Sequence, residues 1–198
     1  MMLKKFIKDT EGRADLPVEI TDLADAITAK GLADVDIVYL KSVEANPSEI
    51  HGAFWCYRQS LGVYRKYQTV AVIPYNANDP IEWQRVTCAK ELMHLFDTEL
   101  EQTNQDNEVC DLINRLLNRF SSDDVGLADL MAGKDKLALY MCLPLLLPRA
   151  ALLEAREAVE NEQLTVKDVA EKAVMPVDLV KLMLDPEWDT LSRRLAQM

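Results

Sequence analysis

With 198 residues, 33 acidic against 22 basic side chains and a formal charge of −11, the chain is long enough to bury a core. It is too acidic for a broad electrostatic grip on nucleic acid or an anionic membrane, since both need clustered positive charge. A content of 49% hydrophobic and 28% charged residues is ordinary for a globular protein and argues against intrinsic disorder. In chain order, the first nine residues are basic in flavour but hold no apolar run of signal-peptide length. Residues 16–30 place Val18, Ile20, Leu23, Ala24 and Ile27 at helical spacing and end on Lys30 and Gly31, a basic last turn before a capping glycine. Three β-like runs follow at 35–40, 50–57 and 67–74, the last two joined by a hairpin loop containing Gly62. Asn76 to Pro80 is a turn in which Asp79 suits an N-cap and Pro80 a first helical position.

A helix is predicted over 81–96, with Ile81, Val86, Ala89, Leu92, Met93 and Phe96 as its apolar stripe, then a polar connection at 99–107 and a further helix at 108–120. Residues 127–147 are apolar and read as buried, with Pro144 expected to kink or end a helix. After Pro148 come a charged helix at 150–161 and a compact helical pair at 165–184. The longest apolar run, 137–147, is shorter than the ~18 residues of a membrane span, so no membrane association is expected. Cys56, Cys88, Cys110 and Cys142 form no CxxC pair, which excludes zinc-ribbon and thioredoxin-type chemistry; they read as thiols of a reduced compartment, and the expected location is cytoplasmic.

One string carries a chemical pattern: Ala89-Lys90-Glu91-Leu92-Met93-His94. In an HExxH helix two imidazoles four residues apart face one metal, and the glutamate between them activates the zinc-bound water. Here Glu91 and His94 occupy the glutamate and second-histidine positions, and Lys90 replaces the first histidine. The order of motifs resembles the ImmA/IrrE-type metallopeptidases of bacteria and their mobile elements: a strand, Val70 to Pro74, leading into the Ala-Lys-Glu-Leu-Met-His helix, and later Asp135-Lys136-Leu137-Ala138 through Leu145-Leu146-Leu147-Pro148. The resemblance spans roughly residues 16 to 184. It implies an α+β fold with a mostly helical zincin-like domain over 1–148, a small three-stranded sheet, and a C-terminal helical hairpin over 149–198. It also implies Glu91 as catalytic base and His94 as ligand, with Asp135, or Glu108 in a poorer alignment, as the third ligand.

Lys90 argues against zinc, because a protonated amine has no lone pair and repels a divalent cation. On the metal face its ammonium would instead neutralise Glu91 or the acidic ligand position, giving a salt-bridged cluster. His51 lies in a strand or turn and is a poor replacement ligand. The expected function is therefore a protein-binding or regulatory role with an inactive site, the partner being a repressor-like regulator. The alternative is an active zinc endopeptidase that uses Glu91 with a non-standard ligand set. A Cys88–His94 dyad fails on geometry, since six helical positions are about 240° and about 9 Å apart. Residues 164–184 resemble a helix-turn-helix, but residues 162–185 hold three lysines against five acids, which argues against a DNA-reading role.

Overall fold

The computed structural model describes residues 2–46, 51–60, 62, 67–97 and 127–195, with backbone alone at 127–134 and 194–195. Among the described residues the architecture is α+β, with eight α-helices and one small mixed sheet, and about 56% helical. The first described element is α1 (Met2–Thr10), a helix beyond those expected from sequence; Leu3, Phe6 and Thr10 recur at helical spacing and are buried, and Phe6 stacks on Phe96 at 6.2 Å between ring centroids. The next helix, α2 (Ile20–Ala29), starts four residues later than the predicted 16, with Glu19 extended at the N-cap. Pro17 accounts for this, since it disfavours helical backbone at Leu16. The predicted C-terminal glycine is borne out: Gly31 sits at φ +58°, its N–H bonds Thr28 O at 3.0 Å and Leu32 N–H bonds Ile27 O at 3.0 Å, a Schellman ending.

The strands are β1 (Ile37–Val43), β2 (Trp55–Ser60) and β3 (Tyr67–Asn76), in the order β1-β3-β2. The predicted hairpin is present, with β2 antiparallel to β3 from Trp55 opposite Val72 to Ser60 opposite Tyr67. β1 runs parallel to β3, Ile37 opposite Val70. Alternation gives the sheet two faces: Ala71 and Ile73 enter the core with Val38 and Leu40 packed against it. On the other face Tyr39 and Trp55 flank Val72 in register and stay 52% and 44% exposed.

α3 (Ile81–Met93) follows β3 directly. Its N-cap is Pro80, with no side-chain cap bond, so the expected Asp79 cap is not made. Instead Trp83 and Gln84 N–H both bond Pro80 O, at 2.9 and 3.0 Å, while the Asp79 carboxylate pairs with His51. The α-helix ends at Met93 and a 3-10 turn covers His94–Phe96, where one helix to Phe96 was predicted. Next in the described chain is α4 (Leu127–Leu146), which runs through Pro144. The helix ends at Leu146, two residues beyond the proline, with Leu147 N–H on Leu143 O at 2.9 Å.

α5 (Arg149–Glu160) matches the predicted charged helix. α6 (Val166–Ala173) and α7 (Val177–Leu184) match the predicted pair, and α8 (Glu187–Leu195) was not foreseen. Thr165 closes α6 with a capping box in which Thr165 Oγ1 accepts from Asp168 N–H and Asp168 accepts from Thr165 N–H. One cluster of buried side chains runs from Leu3 and Phe6 through α2 to α7 to Trp188 of α8. Among the described residues no single helix is long and apolar enough to cross a membrane. The predicted connection at 99–107 and helix at 108–120 lie outside the described residues, as do Glu108 and Cys110.

Candidate functional site

The site forms where the C-terminal end of α3 meets the start of the described side chains of α4. Cys142 Sγ lies 4.0 Å from Val86 O while Asp135, two turns earlier on α4, reaches Lys90 one turn later on α3, so the two helices run antiparallel. Asp135, Ala138 and Cys142 fall on one stripe of α4 at spacings of three and four, and the apolar members Ala138 and Cys142 are buried. This pairing brings together four of the residues singled out from sequence: Lys90, Glu91, His94 and Asp135. Lys90 Nζ lies 2.9 Å from Glu91 Oε1 and 2.5 Å from Asp135 Oδ1. His94 Nε2 lies 3.8 Å from Glu91 Oε2 and 3.7 Å from Asp135 Oδ1.

A fifth member, Asp97, was missed by sequence reasoning. Its Oδ2 lies 2.7 Å from His94 Nδ1; the available signal was a carboxylate three residues after the histidine at a helix end. The cluster thus holds two cations among three carboxylates, and it is partly buried: the Glu91 side chain is 6% exposed, those of Lys90 and His94 20%, Asp97 27% and Asp135 31%. Burial works to lower the pKa of Lys90, but the charges of Glu91 and Asp135 and its bonds to them outweigh that and raise it above the ordinary lysine value. Burial likewise opposes protonation of His94, and the Asp135, Asp97 and Glu91 carboxylates overcome it, lifting His94 to about 9. Burial pushes Asp135 up, and His94 and Lys90 more than reverse this, holding it down at about 2.

The segment before β2 roofs this cluster. His51 O accepts from Asn76 N–H at 2.9 Å and Ala53 N–H donates to Pro74 O at 3.1 Å, so residues 51–53 lie along the end of β3. Gly52 packs onto α3 so closely that a Cβ there would overlap Thr87 Cγ2, with Glu91 Cγ at 3.6 Å. The Phe54 ring lies 6.1 Å from that of His94. His51 itself is directed elsewhere: its Nδ1 is 2.9 Å from Asp79 Oδ2 and its side chain is 68% exposed. It fastens the roof to the turn before α3 and does not join the cluster.

Zinc is the group that the motif implies, and the donor set does not fit it. The Nε2-to-oxygen spacings around His94 are near the about 3.4 Å between ligands of a tetrahedral zinc with 2.1 Å bonds, but the Lys90 ammonium reaches both carboxylates and supplies their positive charge. The carboxylates around His94 raise its pKa, so a metal there would compete with a proton for the imidazole. Among the described residues no group of three or more His, Cys, Asp or Glu is arranged to hold a metal ion.

Thiol chemistry is also disfavoured. Burial, then the Glu91 charge, pushes Cys88 up to about 12, and burial does the same to Cys142, so neither supplies a thiolate at neutral pH. Cys56, Cys88 and Cys142 are free thiols. What the arrangement does chemically is hold charge in fixed geometry under an aromatic and glycine roof. No protein-family model matches the chain, and neither does any curated protein or solved structure.

Proposed function

We propose that the chain is an ImmA/IrrE-like protein whose metal position has been taken over by the Lys90 ammonium, and that it acts by binding a protein partner, a repressor-like regulator of a bacterium or mobile element, without cleaving it. The observation that carries this reading is the two-carboxylate grip on Lys90, from the glutamate position of the motif and from the aspartate position of its later half. The zincin-like reading is supported by the order of parts: a helix, a three-stranded sheet, the motif helix directly after β3, and then a helix whose aspartate faces the motif. In the same reading α6 and α7 form the C-terminal helical hairpin of the family. Val169, Ala170, Met175, Val180 and Met183 support this, since they join the main core. A peptidase needs a metal-bound water beside a glutamate free to take its proton; here Glu91 is already bound to Lys90.

Metal analysis of the purified chain, together with a Lys90→His variant, tests this. The expected result is substoichiometric zinc in the wild type and stoichiometric zinc in Lys90→His, removed again by His94→Ala or Asp135→Ala in that background. Stoichiometric zinc in the wild type, lost on His94→Ala, overturns the inactive reading. A Lys90→His chain that folds but takes up no zinc overturns the family reading. For the partner, a repressor encoded beside this chain is expected to bind and to stay intact on long incubation.

A further inference from the structure

A second concave site lies away from the ion-pair cluster, between α1, α4, α5, α7 and α8. Its volume is about 140 Å³. The floor is built by Met141, Leu147, Leu152, Met183 and Trp188, none more than 8% exposed, so it is apolar and closed from below. An enclosed apolar cavity of about 150 Å³ holds benzene, which sets the scale of the hydrocarbon that fits this floor. Two of the five wall residues are methionines, whose unbranched side chains adjust to a flexible guest.

The rim has a different character. Lys4 and Arg149 both line it, and among the described residues neither side chain has an ion pair or hydrogen bond. Arg193 adds a third cation; its Nε donates to Asp189 O at 2.9 Å and its Nη2 to Thr190 Oγ1 at 3.4 Å, so it has no carboxylate partner. Of the two acids at the rim, Asp189 is paired with Arg156 at 2.8 Å, which leaves Glu11 against three cations. In a chain of formal charge −11, this mouth is locally positive. An apolar floor with a few convergent charges at its edge is the form of a small-molecule site.

We infer that this cavity binds a small amphipathic monocarboxylate with an unbranched tail of about five or six carbons, its tail on the methionine and Trp188 floor and its carboxylate between Lys4 and Arg149. Floor and rim act on different parts of the ligand, so they can be separated. Titration of the full chain with hexanoate, 1-hexanol, hexylammonium and acetate, followed by calorimetry and, in a Trp55→Phe, Trp83→Phe background, by Trp188 emission, provides the test. Hexanoate is expected to saturate, hexanol to bind about tenfold more weakly, and hexylammonium and acetate to give no saturation.

In a Lys4→Ala, Arg149→Ala double variant, two surface changes that leave the core intact, hexanoate is expected to fall to the affinity of hexanol while hexanol is unchanged. Hexanoate binding no tighter than hexanol, binding unaffected by the double variant, or no saturable binding of hexanoate overturns the proposal. The zinc content of Lys90→His is independent of all these outcomes, so failure here is distinct from failure of the functional reading above.

Discussion

Lys90→Met keeps the length of the side chain and removes its charge, leaving Glu91, only 4% exposed, and Asp135 with His94 as their one remaining cation among the described residues, at 3.8 and 3.7 Å. Truncating one partner of a buried ion pair costs about 3–5 kcal/mol, because the remaining charge stays desolvated. Lys90→Met is therefore expected to lose about 3 kcal/mol in denaturant titrations near pH 7, and to lose less as pH falls and the orphaned carboxylates take up protons. Equal stability of the two chains at pH 7 would show that Lys90 is solvated and not part of the network.

His94 gives the opposite pH dependence. Its folded value, about 9, lies above the ordinary 6.5, so its contribution is fully present below about pH 6.5 and is lost as pH rises through 9. Asp135, held at about 2 against an ordinary 3.8, contributes above about pH 4 and loses that contribution as pH falls through 2. Stability is thus expected to plateau between about pH 4 and 6.5 and to fall by up to about 3 kcal/mol toward pH 9. In His94→Gln the alkaline fall should be largely absent; if it persists unchanged, the imidazole is not its source.

At the scale of elements, chemistry local to the chain was well read and chemistry between segments was not. The capping glycine at 31 and the β2–β3 hairpin depend on neighbouring residues, and both are present, although β2 covers Trp55–Ser60 where the expected run was 50–57. Asp79 shows the limit: its type and position suit an N-cap, but its carboxylate faces His51, 28 residues earlier. The two missed helices, α1 and α8, are short, and α8 carries one fully buried aromatic, Trp188, whose role depends on what it packs against. Val174 occupies left-handed backbone at φ 49° at the end of α6, a conformation that a β-branched residue rarely takes and that nothing in its local sequence announces.

Gly52 is the clearest such case, an unremarkable residue in sequence that lets the roof close on the cluster. Gly52→Ala places a methyl group against Thr87 Cγ2 and, at 3.3 Å, against Pro74 O. It is expected to cost about 1–3 kcal/mol, with Thr87→Ser recovering part of that in a double-mutant cycle. Simple additivity of the two substitutions would place the segment away from α3.

For the whole molecule, the continuous core is the feature with the most consequence. Residues of α5 to α8, including Leu152, Met183 and Trp188, share one buried cluster with Leu3 and Phe6 of α1 and with Ala71 and Ile73 of β3. Arg156 reinforces this by joining α5 to α7 and α8, with Nη2 on Met183 O at 2.8 Å and Nη1 on Asp189 at 2.8 Å. Sequence reading divides the chain at residue 148; the packing predicts one cooperative unfolding transition. Emission from Trp188 in a Trp55→Phe, Trp83→Phe background is expected to report the same midpoint as far-UV circular dichroism. Two separated midpoints would mean that residues 149–198 unfold as their own unit.

By itself the sequence determined what depends on residue type and short-range spacing. It placed helices and strands in order, barred a zinc site of two imidazoles at the motif, and set Lys90 beside Glu91 and one turn from His94. The spacing of four fixes Lys90 and His94 on one face of the motif helix, and no tertiary contact is needed for that. Tertiary structure decided the partners across distance: Asp135 on Lys90 from 45 residues away, Asp97 and Phe54 around His94, His51 bound to Asp79, and cations gathered on the rim of an apolar cavity. Each is a pairing between segments whose approach is set by burial of the core, and burial is a property of the folded whole.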